Sequence, residues 1–234
     1  MKIMTYNIQH GIDYIHRLKT KEVVINLDKI AEIIKNENPD IIGLNEVYDA
    51  PVAYLENQAK EIAEKIGYYY YFGKAISIKG GYYGNAILSR YPFKEIKLIS
   101  IPDPKVKDED AYYETRSMIN AKINIDDKQY NVFVSHFGLA KTEQINAINT
   151  LKENINGLDS VIFMGDLNME PNNDNIKEIS KFLNTYNTVK KSFPSNDPKI
   201  RIDYIFLSRD IKCLKSEVLD VVFSDHLPVV AIIE

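Results

Sequence analysis

Ser160-Val161-Ile162-Phe163-Met164-Gly165-Asp166-Leu167-Asn168 is an apolar run that ends in a glycine, a carboxylate and an amide. Such a run predicts a buried strand near 160–164, with Asp166 and Asn168 just past its end. Taken alone, the polar end is equally an ordinary turn, because glycine, aspartate and asparagine all favour turns. The design recurs along the chain. Thr5-Tyr6-Asn7 ends a strand over 1–7, Gly43-Leu44-Asn45-Glu46-Val47 ends one over 41–47, and Ser135-His136-Phe137 ends one over 129–135. Arg201-Ile202-Asp203-Tyr204-Ile205-Phe206 opens another strand, and Ser224-Asp225-His226 precedes the last. Apolar strands that deliver polar groups at one end of a sheet can gather distant residues into one cleft.

Between these segments, Val23, Leu27, Ile30 and Ile34 recur at three- and four-residue steps, the mark of an amphipathic helix, which Pro39 closes. The stretch carrying His10, Gly11 and Asp13 reads as a polar loop before it. A second helix is expected over 54–66, stopping at Gly67. A third, over 141–155, presents Ile145, Ile148, Leu151 and Ile155 on one face, and a fourth lies near 174–184. Strands over 68–72, 85–89, 95–101, 115–125 and 129–135 fill the middle, with Asp126-Asp127-Lys128 as a hairpin turn. Residues 102–111 read as a surface loop, and further strands are expected at 202–207, 212–222 and 228–233. No repeat, low-complexity segment or linker interrupts the chain, so residues 1–234 are expected to form one α/β domain.

Composition is that of a soluble globular protein, with 45% hydrophobic and 26% charged residues. The single cysteine, Cys213, excludes an intrachain disulfide and a cysteine metal cluster. No apolar stretch approaches the roughly 20 residues that span a bilayer. The N-terminus turns polar too soon for a signal peptide. A monomeric cytoplasmic enzyme is the expectation. A net charge of −4, from 29 basic and 33 acidic residues, counts mildly against a long polyanion as partner.

The polar groups suit one another. Carboxylates and an amide oxygen bind a hard divalent cation, and imidazoles handle protons. Each has a bland alternative. Asn7 can end a strand with a turn, and Glu46, in an apolar run, needs a cation that is either a metal or a basic side chain. His136 can be a satisfied buried histidine, and Asp225 and His226 can cap a turn before Pro228. Tyr68–Tyr71 reads as a strand with alternating faces rather than a base-stacking platform, and Tyr82 and Tyr83 as a surface turn in preference to the lining of a cleft mouth. Lys190, Lys191, Lys199 and Arg201 read as a solvated basic face.

As an ordered set, these segments resemble the endonuclease/exonuclease/phosphatase superfamily. Gly165-Asp166-Leu167-Asn168 and Ser224-Asp225-His226-Leu227-Pro228 carry the resemblance most specifically, joined by Gly84–Arg90 and Arg201–Phe206. One departure is Asn45, where the family usually has glutamine, and no special role is assigned to it. The resemblance implies a four-layer α/β/β/α sandwich, with two central mixed β-sheets flanked by helices. It implies Glu46 as a direct Mg2+ ligand, Mn2+ being a possible substitute, with Asp225 helping and Asn7 acting as ligand or phosphate contact. Asp166 and Asn168 position water and phosphate, and His226 contacts phosphate or takes a proton while Asp203 holds its other nitrogen. His136 donates to a phosphoryl oxygen. Arg116 is either a phosphate contact or half of an ion pair. Whether Asp166 or His226 is the general base stays open.

The implied activity is hydrolysis of a phosphodiester or phosphomonoester by in-line attack of water, on a small or lipid-derived substrate. A DNA endonuclease or repair nuclease using the same residues is the alternative. A scaffold that has lost catalysis would have lost one of these carboxylates or the last histidine.

Overall fold

The computed structural model describes residues 1–50, 57–78, 80–107, 110–186 and 190–234. In chain order the strands are β1 (Lys2–Asn7), β2 (Ile41–Asp49), β3 (Tyr69–Ile78), β4 (Gly81–Ser89), β5 (Phe93–Ser100) and β6 (Ser117–Ile125). They continue as β7 (Lys128–Ser135), β8 (Val161–Asp166), β9 (Asn184–Thr185), β10 (Asp203–Leu207), β11 (Cys213–Val218) and β12 (Val229–Ile233). The helices are α1 (Tyr14–Thr20), α2 (Leu27–Glu37), α3 (Gln58–Ile66), α4 (Lys141–Ile155) and α5 (Asp174–Ile179).

Two six-stranded sheets result, ordered β11-β12-β1-β2-β4-β3 and β5-β6-β7-β8-β10-β9. Each is mixed, with β1–β2 and β7–β8 parallel and the other pairs antiparallel. Strand side chains alternate between faces, and that period of two builds three apolar layers. Ile3, Ile41, Ile87, Ile119, Val134, Met164 and Ile205 meet between the sheets. Met4, Tyr6, Ile42 and Leu44 turn outward onto Ile30 and Ile34 of α2 and Ile62 of α3. Phe133, Phe163, Tyr204 and Phe206 turn the other way, onto Ile148 and Leu151 of α4 and Ile176 of α5. This is the expected four-layer sandwich.

Local chemistry sets the helix ends. Asn26 caps α2 by accepting from the Lys29 N–H, and Asn38 ends it in the left-handed conformation just before Pro39. The helix therefore starts at Leu27, and Val23, 60% exposed, lies outside the apolar stripe. The expected loop after Asp13 is instead a helix, α1, which Asp13 caps through the His16 N–H. It buries no residue, so no apolar period advertised it. Gly67 ends α3 at φ 76, as expected, while residues 54–56 of the anticipated helix lie outside the described ones.

In α4 the buried face runs through Gln144, Ala147, Ile148 and Leu151, and Ile145 is exposed rather than packed. The helix expected near 174–184 stops at Ile179; residues 180–183 turn, and Asn184 opens β9. Tyr71 faces the inter-sheet core while Tyr68 and Phe72 face α3, the anticipated alternation. Arg201 is not on a solvated face. It is buried, its guanidinium 4.7 Å from the Tyr204 ring centroid.

Candidate functional site

Strand parity delivers the site. Asn7 follows Ile3 and Thr5 on the inward face of β1, Asp166 follows Met164 on β8, and Asp203 precedes Ile205 and Leu207 on β10. Asp166 and Asp203 are directly paired across β8 and β10. Asn7 pairs with Asn45 at the ends of β1 and β2. The turn holding Asp225 and His226 enters β12, which runs antiparallel to β1 with Val229 opposite Thr5, so it reaches the same edge. His136 follows β7, the parallel neighbour of β8, and Phe137 N donates to Asp166 O at 2.9 Å.

Glu46 needs a special device. Leu44 and Val47 both face outward, so one residue too many lies between them, and the β2–β4 register shifts there. This bulge holds Glu46 at φ 58 and re-aims its carboxylate into the cleft. Asn168 (φ 52) and His10 (φ 57) share that left-handed conformation. Such backbone is costly for non-glycine residues and collects at functional sites.

Glu46, His136, Asp166, Asn168, Asp225 and His226 line one cleft of 640 Å³, with Asn7 and Asp203 buried behind them. Asn7 Nδ2 donates to Glu46 Oε1 at 3.0 Å and to Asp166 Oδ2 at 3.1 Å, and lies 3.5 Å from His226 Nε2. Its Oδ1 accepts from Gln9 N at 3.1 Å, so the amide turns its nitrogen, not its oxygen, to the carboxylates. Gln9 Nε2 donates to Asp225 Oδ2 at 2.5 Å. His226 Nδ1 is 2.9 Å from Asp203 Oδ2, and its Nε2 is 3.6 Å from Asp166 Oδ2. His136 Nε2 is 3.0 Å from Asn168 Nδ2 and 3.5 Å from Asp166 Oδ2. Asn168 N–H donates to Asp166 Oδ1 at 2.9 Å.

Burial and charge separate the two histidines. Burial opposes charge on His226, but Asp203, Asp166 and Asp225 outweigh it and raise the ring to about 10. Burial, with the positive charges of Arg116 and His226, holds His136 well below the ordinary imidazole value. His226 is therefore a cation at neutral pH and His136 is neutral, with Nε2 placed to accept from Asn168. Burial pushes Asp166 up to about 7 and Asp225 up to about 6.

Arg116 is buried on the cleft wall, where its guanidinium meets Glu114 Oε2 at 2.7 Å. Three residues left without a role in the sequence reading, or read as surface, also line the cleft. His10 stacks on Tyr48 at 4.1 Å between centroids, and Tyr83 meets both edge-on at 5.4 Å. Tyr83 belongs to β4 and not to a surface turn. The signal available was position: His10 lies three residues past Asn7 and Tyr48 two past Glu46. Asn45, given no special role above, accepts the Asp166 N–H at 2.9 Å and donates to Asn85 Oδ1 at 2.7 Å.

Asp166, Asp203 and His226 place ligand atoms within 4.8 Å of one another, a spacing that suits a metal triad. His226 Nδ1 is taken by Asp203 Oδ2 at 2.9 Å, however, so two of the three are already partnered with each other. Glu46 and Asp225 fit a hard cation better. Both are carboxylates in the cleft, and among the described residues the only basic side chain within 4.0 Å of Glu46 is the His10 ring, at 3.9 Å.

No curated protein matches this sequence. Among solved structures, the fold is similar to an endonuclease/exonuclease/phosphatase family protein from Leptotrichia buccalis C-1013-b, at 20% identity and TM-score 0.78, covering 100% of this chain and 99% of that one. A mannosyl-6-phosphatase of Bacteroides thetaiotaomicron VPI-5482 is 19% identical with TM-score 0.77, covering 100% and 99%. The human Nocturnin catalytic domain with bound sulfate is 18% identical with TM-score 0.74, covering 100% and 93%. The family model described as Endonuclease/Exonuclease/phosphatase matches residues 4–226, nearly the whole chain. The chain therefore belongs to that family of metal-dependent phosphoester hydrolases.

Proposed function

We propose that this protein hydrolyses a phosphodiester or phosphomonoester of a small or lipid-derived alcohol by in-line attack of water. The observation that carries the reading is the chain Asp203–His226–Asp166, joined by Asn7 to Glu46 within a single cleft. Both sheets contribute to it, which is why we read residues 1–234 as one functional domain.

Asp166, raised to about 7, is suited to take the proton of the attacking water, because a general base works best near the operating pH. His226, held as a cation by Asp203, binds the phosphoryl oxygens as negative charge develops on them. Asn168, whose two amide protons go to His136 Nε2 and Phe137 O, holds Asp166 in place through its backbone N–H. His136 thereby acts through Asn168, in place of the direct donation to phosphate expected from the sequence. Asn7, whose two amide protons go to Glu46 and Asp166, is a tether that holds the two carboxylates together. Glu46 and Asp225 are the proposed holders of Mg2+ or Mn2+, which when bound neutralises charge on the ester oxygens.

The substrate preference follows from the lining. Arg116 is the one lysine or arginine among the described lining residues, and it is paired with Glu114. A nucleic-acid track needs several free cations. Tyr112 and Leu139, 63% and 59% exposed, give the cleft an apolar rim instead. The test is hydrolysis of p-nitrophenyl phosphate esters with Mg2+ or Mn2+, with and without chelator, followed by a panel of sphingomyelin, inositol phosphates, nucleotides, plasmid DNA and abasic duplex. Metal-dependent turnover with weak salt dependence is expected. Absence of turnover on the entire panel defeats the hydrolase reading.

A further inference from the structure

The cleft is not closed beyond the phosphate-binding groups. A second groove of 610 Å³ adjoins it and shares Leu139, Asn168, Ile200 and Ile202 with it. Asn168 thus borders the groove as well as the cleft, so the groove opens beside the reacting centre. Its far wall carries Asn172 and Asn173, with Lys141, Glu170 and Asp174 around them, while Gln144 spends its amide on Gly138 O, Leu139 O and Asn175. Amides without net charge are suited to hydroxyl groups, which both donate and accept. The other side of the cleft is different. There the His10, Tyr48 and Tyr83 rings form a wall continued by Ile76 and Ile78, next to Glu46 and Glu114. Flat aromatic faces accept an uncharged ring or an apolar group.

A monoester ends at its phosphoryl group and needs room on one side only; a diester needs room on both. Resting on the hydrolase reading above, we infer that the substrate is a phosphodiester. One uncharged, ring-bearing or apolar substituent lies against the Tyr48–Tyr83 wall, and a second, hydroxylated substituent lies in the amide groove. Hydrolysis breaks one P–O bond: the oxygen of water becomes the new P–O group, and the departing alcohol leaves with a proton.

Three esters with one leaving group test this: p-nitrophenyl phosphate, methyl p-nitrophenyl phosphate and thymidine 5′-(p-nitrophenyl phosphate). The expected order of kcat/KM is thymidine ester over methyl ester over monoester, with each step about fivefold or more. Asn172→Trp, at an exposed position, fills the groove and is expected to erase the advantage of the thymidine ester over the methyl ester. A monoester turned over as well as the diesters overturns the inference while leaving the hydrolase reading standing. Equal rates for methyl and thymidine esters also overturn it. No turnover of any ester with Mg2+ or Mn2+ removes the hydrolase reading, and this inference with it.

Discussion

Asn45 Oδ1 accepts the backbone N–H of Asp166 at 2.9 Å, a hydrogen bond that crosses from one sheet to the other at the floor of the cleft. Both residues are buried, and Asn45 Nδ2 is committed to Asn85 Oδ1. One side chain thus sets the spacing between β2, which carries Glu46, and β8, which carries Asp166.

Asn45→Ala strands the Asp166 N–H and the Asn85 carbonyl oxygen without solvent. The expected loss is about 3 kcal/mol in urea unfolding, since each stranded buried group costs on the order of 1–3 kcal/mol. A loss under about 0.5 kcal/mol means that the sheets are not tied here.

Gly165 is a second structural constraint on Asp166. A Cβ there would lie 1.8 Å from Ser135 O, and φ is 150. Gly165→Ala must push β8 away from β7, and is expected to cost more than about 2 kcal/mol together with most activity. Gly157→Ala is the control. It also has positive φ but nothing within 4 Å, so it should cost only about 1 kcal/mol and spare activity.

Removing His226 leaves Asp203 and Asp166 facing each other in a buried site. His226→Ala is expected to lower kcat by about 10³-fold, within the range for a lost proton-transfer or charge-stabilising group. It should also lower stability above pH 7. Asp203→Asn keeps the ring but withdraws its counter-charge, so the His226 titration seen by NMR should fall from about 10 toward the ordinary imidazole value. An unmoved titration would separate Asp203 from the histidine, against the 2.9 Å contact.

The metal-free protein has a definite pH dependence. A His226 value raised in the fold stabilises it fully below the unfolded imidazole value, and that gain disappears as pH climbs through about 10. Asp166 and Asp225 are raised to about 7 and about 6, so ionising them costs stability as pH rises through that range. These three act in one direction, while His136 and His10, held low by burial, oppose them below the ordinary imidazole value; in chelator, melting temperature should therefore decline from about pH 7 to about pH 10. A flat profile there would contradict the buried cluster.

Mg2+ should raise the melting temperature of the wild-type protein, and more at about pH 8 than at about pH 5, because a bound cation offsets the ionised carboxylates. Glu46→Gln should lose that metal-dependent rise while still folding without metal. Calorimetric titration with Mg2+ or Mn2+ checks the same point. Unchanged affinity in Glu46→Gln moves the cation to other ligands.

Strands that end in polar groups are legible in the sequence by itself, and the family resemblance they carry implies the sandwich and the residues that meet in it. β1, β8 and β10 are buried on both faces, so the packing of one sheet on the other decides that Asn7, Asp166 and Asp203 share the inward face. Tertiary structure alone decided the rest. The bulge that turns Glu46 into the cleft depends on pairing with β4, and the role of Asn45 on contact with the other sheet. The His10–Tyr48–Tyr83 wall joins three separate segments, and α1 lacks a buried face to announce it. The difference in charge between His136 and His226 is likewise non-local. Burial depth and neighbouring carboxylates set the protonation of an imidazole, and neither is written in the residues beside it.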